Sequence, residues 1–386
     1  MGEIPIFLAT GNQNKAERVI GSGIAITHPF FDEEPIKNRI DQKLGWRYPV
    51  EISRMKLREQ LEKEGEGKIV IVSDSVIAVE QNDDLIPVNR DNDPNFIDKI
   101  NNGLRKGQPV YFLGAASFGI HGEASYTLLT YFKIKPGNRR VQIPINIGKI
   151  PDYYPNFEFG IVDGAGKFVP FGEDNFFQGR PYISGLTPEL ISLAKEYGDI
   201  LPLITSLRDQ ISGFPFNTIV FYELISQGWT YDQIVTNWEN IFQQHGGNCS
   251  LHSLYFATRA RKLGFDPKIA IFPSQSPDHE FGHSAVLIGS YLFDPGLSLP
   301  SPIIFNFQPI EFFNGKSVFL NKDGLNVFKN AKKFFFSLKK FVTIEDYLSM
   351  LPSILSDIHG KRSIAKKDSH DQYGRVIFRQ SIQLKQ

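Results

Sequence analysis

The stretch HGGNCSLHSLYFATRARKLGF, residues 245–265, holds the single cysteine of a 386-residue chain. After Cys249, leucine and aromatic residues recur at helical spacing, and Gly264 follows a basic last turn as a stop signal. The pattern predicts a helix that begins at Cys249. The positive end of a helix dipole lowers the pKa of a thiol from about 8.5, and Gly246 and Gly247 let the backbone approach closely. A lone cysteine in this place is either a nucleophile or an inert core thiol, and the rest of the chain has to decide.

A second stretch, GHSAVLIGSYLFDPGL, has the pattern of a β-hairpin. Two apolar strands are joined by Gly289-Ser290, a pair suited to a two-residue turn with glycine first. In that register Ile288 faces Tyr291, so His283 and Asp294 lie on one face, one diagonal step apart. An imidazole and a carboxylate on an otherwise apolar hairpin need partners, and pairing with each other provides them.

A nucleophilic thiol needs a base and a group that orients the base. We expect His283 to be the base for Cys249, and Asp294 to hold the imidazole in the required tautomer. Gln243 lies upstream of the thiol, where its amide could donate to a developing oxyanion together with the Cys249 backbone N–H. The sequence thus predicts the catalytic set Cys249, His283, Asp294 and Gln243.

The segments GGNCSLHSLYFATRARKLGF, HSAVLIG and YLFDPGL resemble the papain-like superfamily, in its transglutaminase-like and arylamine N-acetyltransferase branches. The resemblance covers roughly residues 215 to 310 and does not choose between the branches. It implies an α+β domain that performs acyl transfer or amide hydrolysis on a small-molecule or peptide acyl substrate. It also implies that the thiol site requires no cofactor.

The beginning of the chain raises a separate question. The segment IFLATGNQNKAERVI ends a strand and turns into a helix near Lys15, where backbone N–H groups and an ammonium converge in a way that suits phosphate. The run KIVIVSD, residues 68–74, reads as a buried strand closed by Asp74. Ligand sites of open α/β sheets gather at such carboxyl ends of strands.

These segments resemble the inosine triphosphate pyrophosphatase family and its Maf relatives. The motif T-G-N-x-x-K is matched at residues 10–15, E-N-A-x-x-K in spacing by EISRMK at 51–56, and D-D-S-G-L-x-V-D by SDSVIAVE at 73–80. The resemblance implies an α/β domain that hydrolyses a nucleoside triphosphate to release pyrophosphate with magnesium. It assigns nucleotide binding to Thr10, Asn12, Lys15, Lys56 and Asp74, and Mg²⁺ ligation to Glu51 and Asp74.

Composition narrows the class of partner. Lys plus Arg and Asp plus Glu both total 42, so the overall charge balance offers no attraction to nucleic acid or to a membrane surface. The chain also lacks an apolar run long enough to span a membrane and the pattern of a signal peptide. We therefore expect a cytoplasmic protein with neither nucleic acid nor membrane as partner.

Together these observations predict a two-domain α/β protein. An inosine triphosphate pyrophosphatase-like α/β domain spans residues 1–185, a papain-like α+β thiol domain spans 186–345, and a helix with a basic, solvated tail spans 346–386. Three functions remain open: a thiol acyltransferase or hydrolase, a magnesium-dependent nucleotide pyrophosphatase, and a nucleotide-binding scaffold whose sites have decayed.

Overall fold

The fold is taken from a computed structural model, which describes residues 4–40, 47–81, 84–88, 110–123, 125–134, 157–162, 168–170, 188–273, 281–304, 340–359 and 364–384, with the single residues 102, 106, 108 and 186. Helices and sheets are mixed, as an α/β protein requires. The described residues form two compact units, one up to Asp199 and one from Ile200 onward. The division falls inside one long helix, and the boundary near residue 185 stays a prediction.

The first unit is built largely of strands. Its elements are β1 (Ile6–Ala9), α1 (Gln13–Arg18), β2 (Ala25–Thr27), α2 (Glu33–Arg39), α3 (Arg47–Glu64), β3 (Ile69–Gln81), β4 (Asp84–Val88), β5 (Val110–Ile120), β6 (Ser125–Ile134), β7 (Phe157–Val162), β8 (Phe168–Pro170) and the start of α4 (Pro188–Gly213).

These strands form one mixed sheet in the order β2-β1-β3-β5-β6-β7-β8, with β4 paired to β3. The strand β1 pairs in parallel with β2 and β3, whereas all other pairs are antiparallel. The predicted strand 68–74 is present but runs on to Gln81, because β5 pairs with it as far as Val79. Asp74 therefore lies inside β3, three residues beyond its parallel pairing with β1, and does not close the strand as the sequence predicts.

The central strands are covered on both faces, which explains their continuous apolar runs. On one face, Leu57 and Leu61 of α3 pack against Val70 and Val72. On the other face, Gly198 of α4 allows close approach, since a Cβ there would lie 3.1 Å from the Ile69 side chain.

The second unit begins with helices. It contains the end of α4, then β9 (Phe216–Asn217), α5 (Ile219–Ser226), α6 (Tyr231–Thr236), α7 (Trp238–His245), α8 (Cys249–Lys262), β10 (Lys268–Pro273), β11 (Phe281–Ile288), β12 (Tyr291–Phe293), a 3₁₀ turn (Pro295–Leu297), β13 (Ile303–Ile304), β14 (Lys340–Val342), α9 (Ile344–His359), β15 (Ile364–His370) and β16 (Val376–Gln383).

Two antiparallel sheets organise the second unit. One has the order β13-β12-β11-β10-β14, and the other has the order β16-β15-β9. Helices α8 and α9 pack against β10 and β11 of the larger sheet. This packing buries Leu254, Phe256 and Ala257 of α8 completely and places the start of α8 beside the strand that carries His283.

The tail contains two strands that the sequence analysis did not predict, β15 (Ile364–His370) and β16 (Val376–Gln383), and β16 is almost entirely exposed. Asp368 is buried in β15, where the exposed Arg379 of β16 and Lys366 neutralise it. The charged side chains therefore pair across the two strands. Because charged residues are so frequent here, the segment lacks the alternation of apolar and polar residues that indicates a strand.

Candidate functional site

The cysteine opens helix α8, as predicted. Asn248 caps the helix, and its side chain accepts hydrogen bonds from the backbone N–H groups of Ser250 and Leu251 at 3.1 and 3.2 Å. At the other end, the N–H of Gly264 donates to Arg261 and that of Phe265 donates to Ala260, which completes a glycine-terminated cap. The thiol therefore lies at the positive end of a 14-residue helix, with only 7% of the residue exposed.

The chain reaches Cys249 through a backbone turn that only glycine fits. Gly246 has a φ of 72°, and a Cβ there would lie 2.0 Å from the carbonyl oxygen of Pro215. The N–H of Gly247 donates to that same oxygen at 3.2 Å, and the Asn217 N–H donates to the Gly247 carbonyl at 2.8 Å. The two glycines thus fix the approach to the thiol against the segment 215–217.

The hairpin has the predicted register. Ile288 faces Tyr291, and Gly289 takes a φ of 54° in the turn. His283 Nε2 lies 2.7 Å from Asp294 Oδ2, and both residues are buried. The predicted contact between the imidazole and the carboxylate is therefore confirmed.

Asp294 is held from both sides. Its second oxygen, Oδ1, accepts a hydrogen bond from the Leu297 N–H at 3.0 Å, because Asp294 caps the 3₁₀ turn that follows β12. One carboxylate therefore fixes the turn with one oxygen and orients His283 with the other. The imidazole keeps Nδ1 for the Cys249 thiol, which is a hydrogen-bond partner of His283.

The surroundings of His283 favour its charged form. Burial alone lowers the pKa of the imidazole, but the charge and hydrogen bond of Asp294 and the contact with Cys249 raise the pKa to about 10. An imidazolium that persists across neutral pH can stabilise a thiolate beside it. The geometry therefore suits a thiolate–imidazolium pair.

The sequence did not single out Gly296, which lies directly against this pair. A Cβ on Gly296 would lie 2.6 Å from the Cys249 Cβ and 3.3 Å from the His283 Cε1. Gly296 lies in the segment FDPGL, two residues after Asp294. A glycine so close to the predicted triad aspartate was the feature of the sequence that could have indicated a close approach to the thiol.

The role of Gln243 as an oxyanion donor stays a prediction. Gln243 lies on α7 with an exposed side chain, and within the described part of the chain that side chain makes no hydrogen bond. Helix α7 ends at His245 and turns at Gly246, so its last turn presents Gln243 to solvent. The structure therefore gives no support for Gln243 as an oxyanion donor.

In the first unit, charged side chains meet at the end of the parallel strand pair. Lys56 of α3 has no exposed surface, and its Nζ donates to Glu33 Oε1 at 2.6 Å and to Asp74 Oδ1 at 2.8 Å. Lys15 Nζ donates to the Ser73 carbonyl at 2.9 Å. Lys15, Lys56 and Asp74 are thus gathered on neighbouring elements, as the motif resemblance implies.

Glu33 occupies the place expected for Glu51. Burial alone raises the pKa of Glu33, but the Lys56 ammonium lowers it to about 2 through charge and hydrogen bonding. Glu51 pairs instead with Arg54 on α3 at 3.1 Å, and within the described part of the chain no ion pair joins Glu51 to Lys56. The structure therefore does not support Glu51 as a metal ligand that acts with Asp74.

Thr10 and Asn12 hold the turn that follows β1. The Asn12 N–H donates to Thr10 Oγ1 at 3.1 Å, and Asn12 Oδ1 accepts from the Lys15 N–H at 3.3 Å as the cap of α1. Both side chains are thereby used for the backbone, and they place Lys15 beside β3. A nucleotide role for Thr10 and Asn12 stays a prediction.

The carboxylates at this place fit a hard cation. Asp74 Oδ2 is buried and has no hydrogen-bond partner among the described residues, and Glu33 supplies a second carboxylate nearby through their shared Lys56. Oxygen atoms of this kind are the ligands that Mg²⁺ prefers, with phosphate oxygens and water completing its coordination. Within the described ranges, no three His, Cys, Asp or Glu side chains are grouped to hold a metal by themselves.

Comparisons with known proteins match about half of the chain. No protein-family model and no curated protein matches it. Matching solved structures include a nucleoside-triphosphatase / dITP/XTP pyrophosphatase from Mycobacterium abscessus, at 18% identity and a TM-score of 0.26 over 51% of this chain and 97% of that one. The Ham1 protein of Staphylococcus aureus matches at 14% identity and a TM-score of 0.29, over 50% of this chain and 98% of that one. A HAM1 protein from Coxiella burnetii matches at 14% identity and a TM-score of 0.22, over 52% and 98%.

The helices were also compared with the length and hydropathy of a membrane span. In the parts of the chain that the structure describes, no helix is both long enough and apolar enough to cross a bilayer.

Proposed function

We propose that this chain is a thiol enzyme in which Cys249 attacks an acyl carbonyl, His283 transfers the proton and Asp294 orients His283. The observation that carries the proposal is the 2.7 Å contact of His283 with Asp294 beside a thiol at the start of α8. An inert buried thiol packs as a small apolar group, whereas a nucleophilic thiol requires an imidazole and a carboxylate that orients that imidazole. The reducing cytoplasm expected from the sequence suits a single free thiol.

The reaction begins from the thiolate–imidazolium pair. The sulfur attacks the carbonyl carbon, the C=O electron pair moves to oxygen, and the Cys249 backbone N–H would donate to that oxyanion. When the tetrahedral intermediate collapses, the bond to the leaving amine breaks and His283 Nδ1 gives its proton to that amine. A thioester on Cys249 and a neutral imidazole remain.

A second nucleophile completes the cycle. Water or an acceptor amine gives its proton to His283 as it attacks the thioester, and collapse of the intermediate releases the acylated product and restores the thiolate. Water makes the enzyme a hydrolase, whereas an amine makes it an acyltransferase. The substrate class we propose is a small-molecule or peptide acyl compound.

The test is the pH dependence of alkylation of Cys249 by iodoacetamide, followed by mass spectrometry. The parent protein should react well below pH 8.5, and His283→Ala should move the midpoint upward towards that of an ordinary thiol. His245→Ala is the matched control, because His245 is an exposed histidine four residues before the thiol. An ordinary thiol titration in the parent and in both variants would contradict the proposal.

A second candidate function belongs to the first unit. We propose a magnesium-dependent nucleoside triphosphate pyrophosphatase. It is favoured by Asp74 Oδ2, which is buried near Lys15 and Lys56 and, in the part of the chain that the structure describes, has no hydrogen-bond partner. Magnesium, when bound, neutralises phosphate charge and lowers the barrier to attack on phosphorus. Lys15 would bind a phosphate oxygen, Lys56 would hold Glu33 and Asp74 in place, and Asp74 would bind the metal or accept a proton from water.

Pyrophosphate release from inosine triphosphate, with and without Mg²⁺, tests this second candidate. Asp74→Asn should abolish release, whereas Glu66→Gln, which changes an exposed carboxylate on a turn, should leave it unchanged. Calorimetry that detects no Mg²⁺-dependent nucleotide binding to the folded parent would contradict the candidate. Nucleotide binding without pyrophosphate release, together with a failed thiol test, would favour the nucleotide-binding scaffold with decayed sites.

A further inference from the structure

Three hydroxyl side chains lie behind the thiol site, and none of them has a role in the mechanism above. Ser250 follows Cys249 on α8, Ser284 follows His283 on β11, and Tyr347 comes from α9, which packs against both elements. All three residues are at least 98% buried. We refer to Ser250, Ser284 and Tyr347 as the hydroxyl cluster.

Two of these hydroxyl groups are unsatisfied. Among the described residues, Tyr347 Oη and Ser284 Oγ are buried and have no partner that meets the distance and angle of a hydrogen bond. A buried hydroxyl without a partner destabilises the folded state relative to an apolar group of the same shape. Tyr347 in particular occupies a place that phenylalanine would fill at lower cost to stability.

The cluster and the thiol influence each other. Burial raises the pKa of the Tyr347 hydroxyl and the negative Cys249 thiolate raises it further, while the neighbouring hydroxyls of Ser250 and Ser284 act in the opposite direction. Tyr347 therefore stays protonated wherever the thiol is ionised. The protonated Tyr347 O–H can turn its positive end towards the Cys249 thiolate.

We propose that Tyr347 is a positioning residue of the thiol site, whose protonated hydroxyl, acting with Ser250 and Ser284, stabilises the ionised Cys249–His283 pair. The proposal rests on the proposed thiol chemistry. It explains why a buried hydroxyl is kept where it lowers stability. Since its acidic proton remains in place, Tyr347 acts through its dipole and transfers no proton.

Tyr347→Phe separates this role from a structural one. The variant removes only the hydroxyl, so we expect the midpoint of the alkylation profile of Cys249 to move upward by about half a pH unit to one unit. The melting temperature should stay unchanged or rise, because an unsatisfied polar group has been removed. Tyr255→Phe is the matched control, since it makes the same change on α8 between Phe214 and Phe242, and it should leave the profile unmoved.

A lower melting temperature with an unchanged alkylation midpoint would show that Tyr347 serves only packing, and would overturn the proposal. Ser284→Ala should shift the midpoint in the same direction, and it decides the matter if Tyr347→Phe does not fold. Failure of the thiol proposal itself looks different, because the parent protein would then titrate as an ordinary thiol near pH 8.5.

Discussion

Replacing Gly296 by alanine should disable the thiol site with little change elsewhere. The new Cβ would lie 2.6 Å from the Cys249 Cβ, 2.8 Å from the Cys249 Cα and 3.3 Å from the His283 Cε1. The first two neighbours belong to the start of a buried helix and cannot swing aside as the end of a flexible side chain can. Cys249 and Gly296 must therefore move apart.

The size of this displacement follows from the contact distances. Ordinary contact begins at 3.4 Å, so the two Cβ atoms must separate by about 0.8 Å. Overpacking of this kind destabilises a buried site by about 1–3 kcal/mol. A misplacement of roughly 1 Å between reacting groups lowers a rate by about 100-fold. We thus expect a folded variant with a modest loss of stability and a large loss of reactivity.

The assay pairs thermal unfolding with the rate of alkylation of Cys249 at pH 7. Gly213→Ala is the matched control, because no atom lies within 4 Å of its new Cβ. The control should keep both the melting temperature and the alkylation rate of the parent. A Gly296→Ala protein that is folded and is alkylated at the parental rate, with the parental pH profile, would refute the contact on which this reasoning depends.

Three further predictions concern charge. Asp294→Asn should destabilise the protein most below pH 6.5, and the loss of stability should shrink as the pH rises towards 10. The pKa of His283 is raised in the folded protein, so the pairing of His283 with Asp294 contributes fully at low pH and is lost as the pH passes the folded pKa. A loss of unfolding free energy that stays the same between pH 5 and 10 in chemical denaturation would contradict this. Burial lowers the pKa of His252 to about 4, so its neutral form contributes stability above pH 6.5 that is lost as the pH falls towards 4. His252→Gln should therefore flatten the loss of stability at acid pH. A variant whose stability depends on pH as the parent's does would contradict this role of His252. Lys56→Met leaves the buried Asp74 charge unpaired and should lower the free energy of unfolding of the first unit by about 3–5 kcal/mol, whereas Lys56→Met with Asp74→Leu should recover most of that loss in urea titrations.

Local signals predicted the parts of the thiol site that lie close together in the sequence. The start of α8, its glycine stop and the hairpin register each depend on a few neighbouring residues, and all three are present. The contact of His283 with Asp294 followed directly from that register, since the two residues lie eleven positions apart.

Long-range packing determined the parts that the sequence did not predict. Glu33 lies 23 positions before Lys56, and no periodic pattern links α2 to α3. The sequence therefore could not show that Glu33, and not Glu51, is the carboxylate that pairs with Lys56. Tyr347 reaches the thiol site only because α9 returns to pack on α8 and β11. In β15 the buried residues include Asp368 and His370, and buried polar residues give no hydrophobic alternation to read.

The pairing of β9 with β15 has a consequence for the order of assembly. The Thr218 N–H donates to Lys366 at 2.8 Å, and Asn217 faces Lys367, so the segment that anchors Gly247 is itself paired with residues made much later in synthesis. A nascent chain emerging up to α9 would carry the cysteine, the histidine and the aspartate but would lack this strand. Contacts so distant in sequence form late, because a long loop must close before they are gained. The segment that anchors Gly247 is therefore expected to take its final pairing only after β15 has been made.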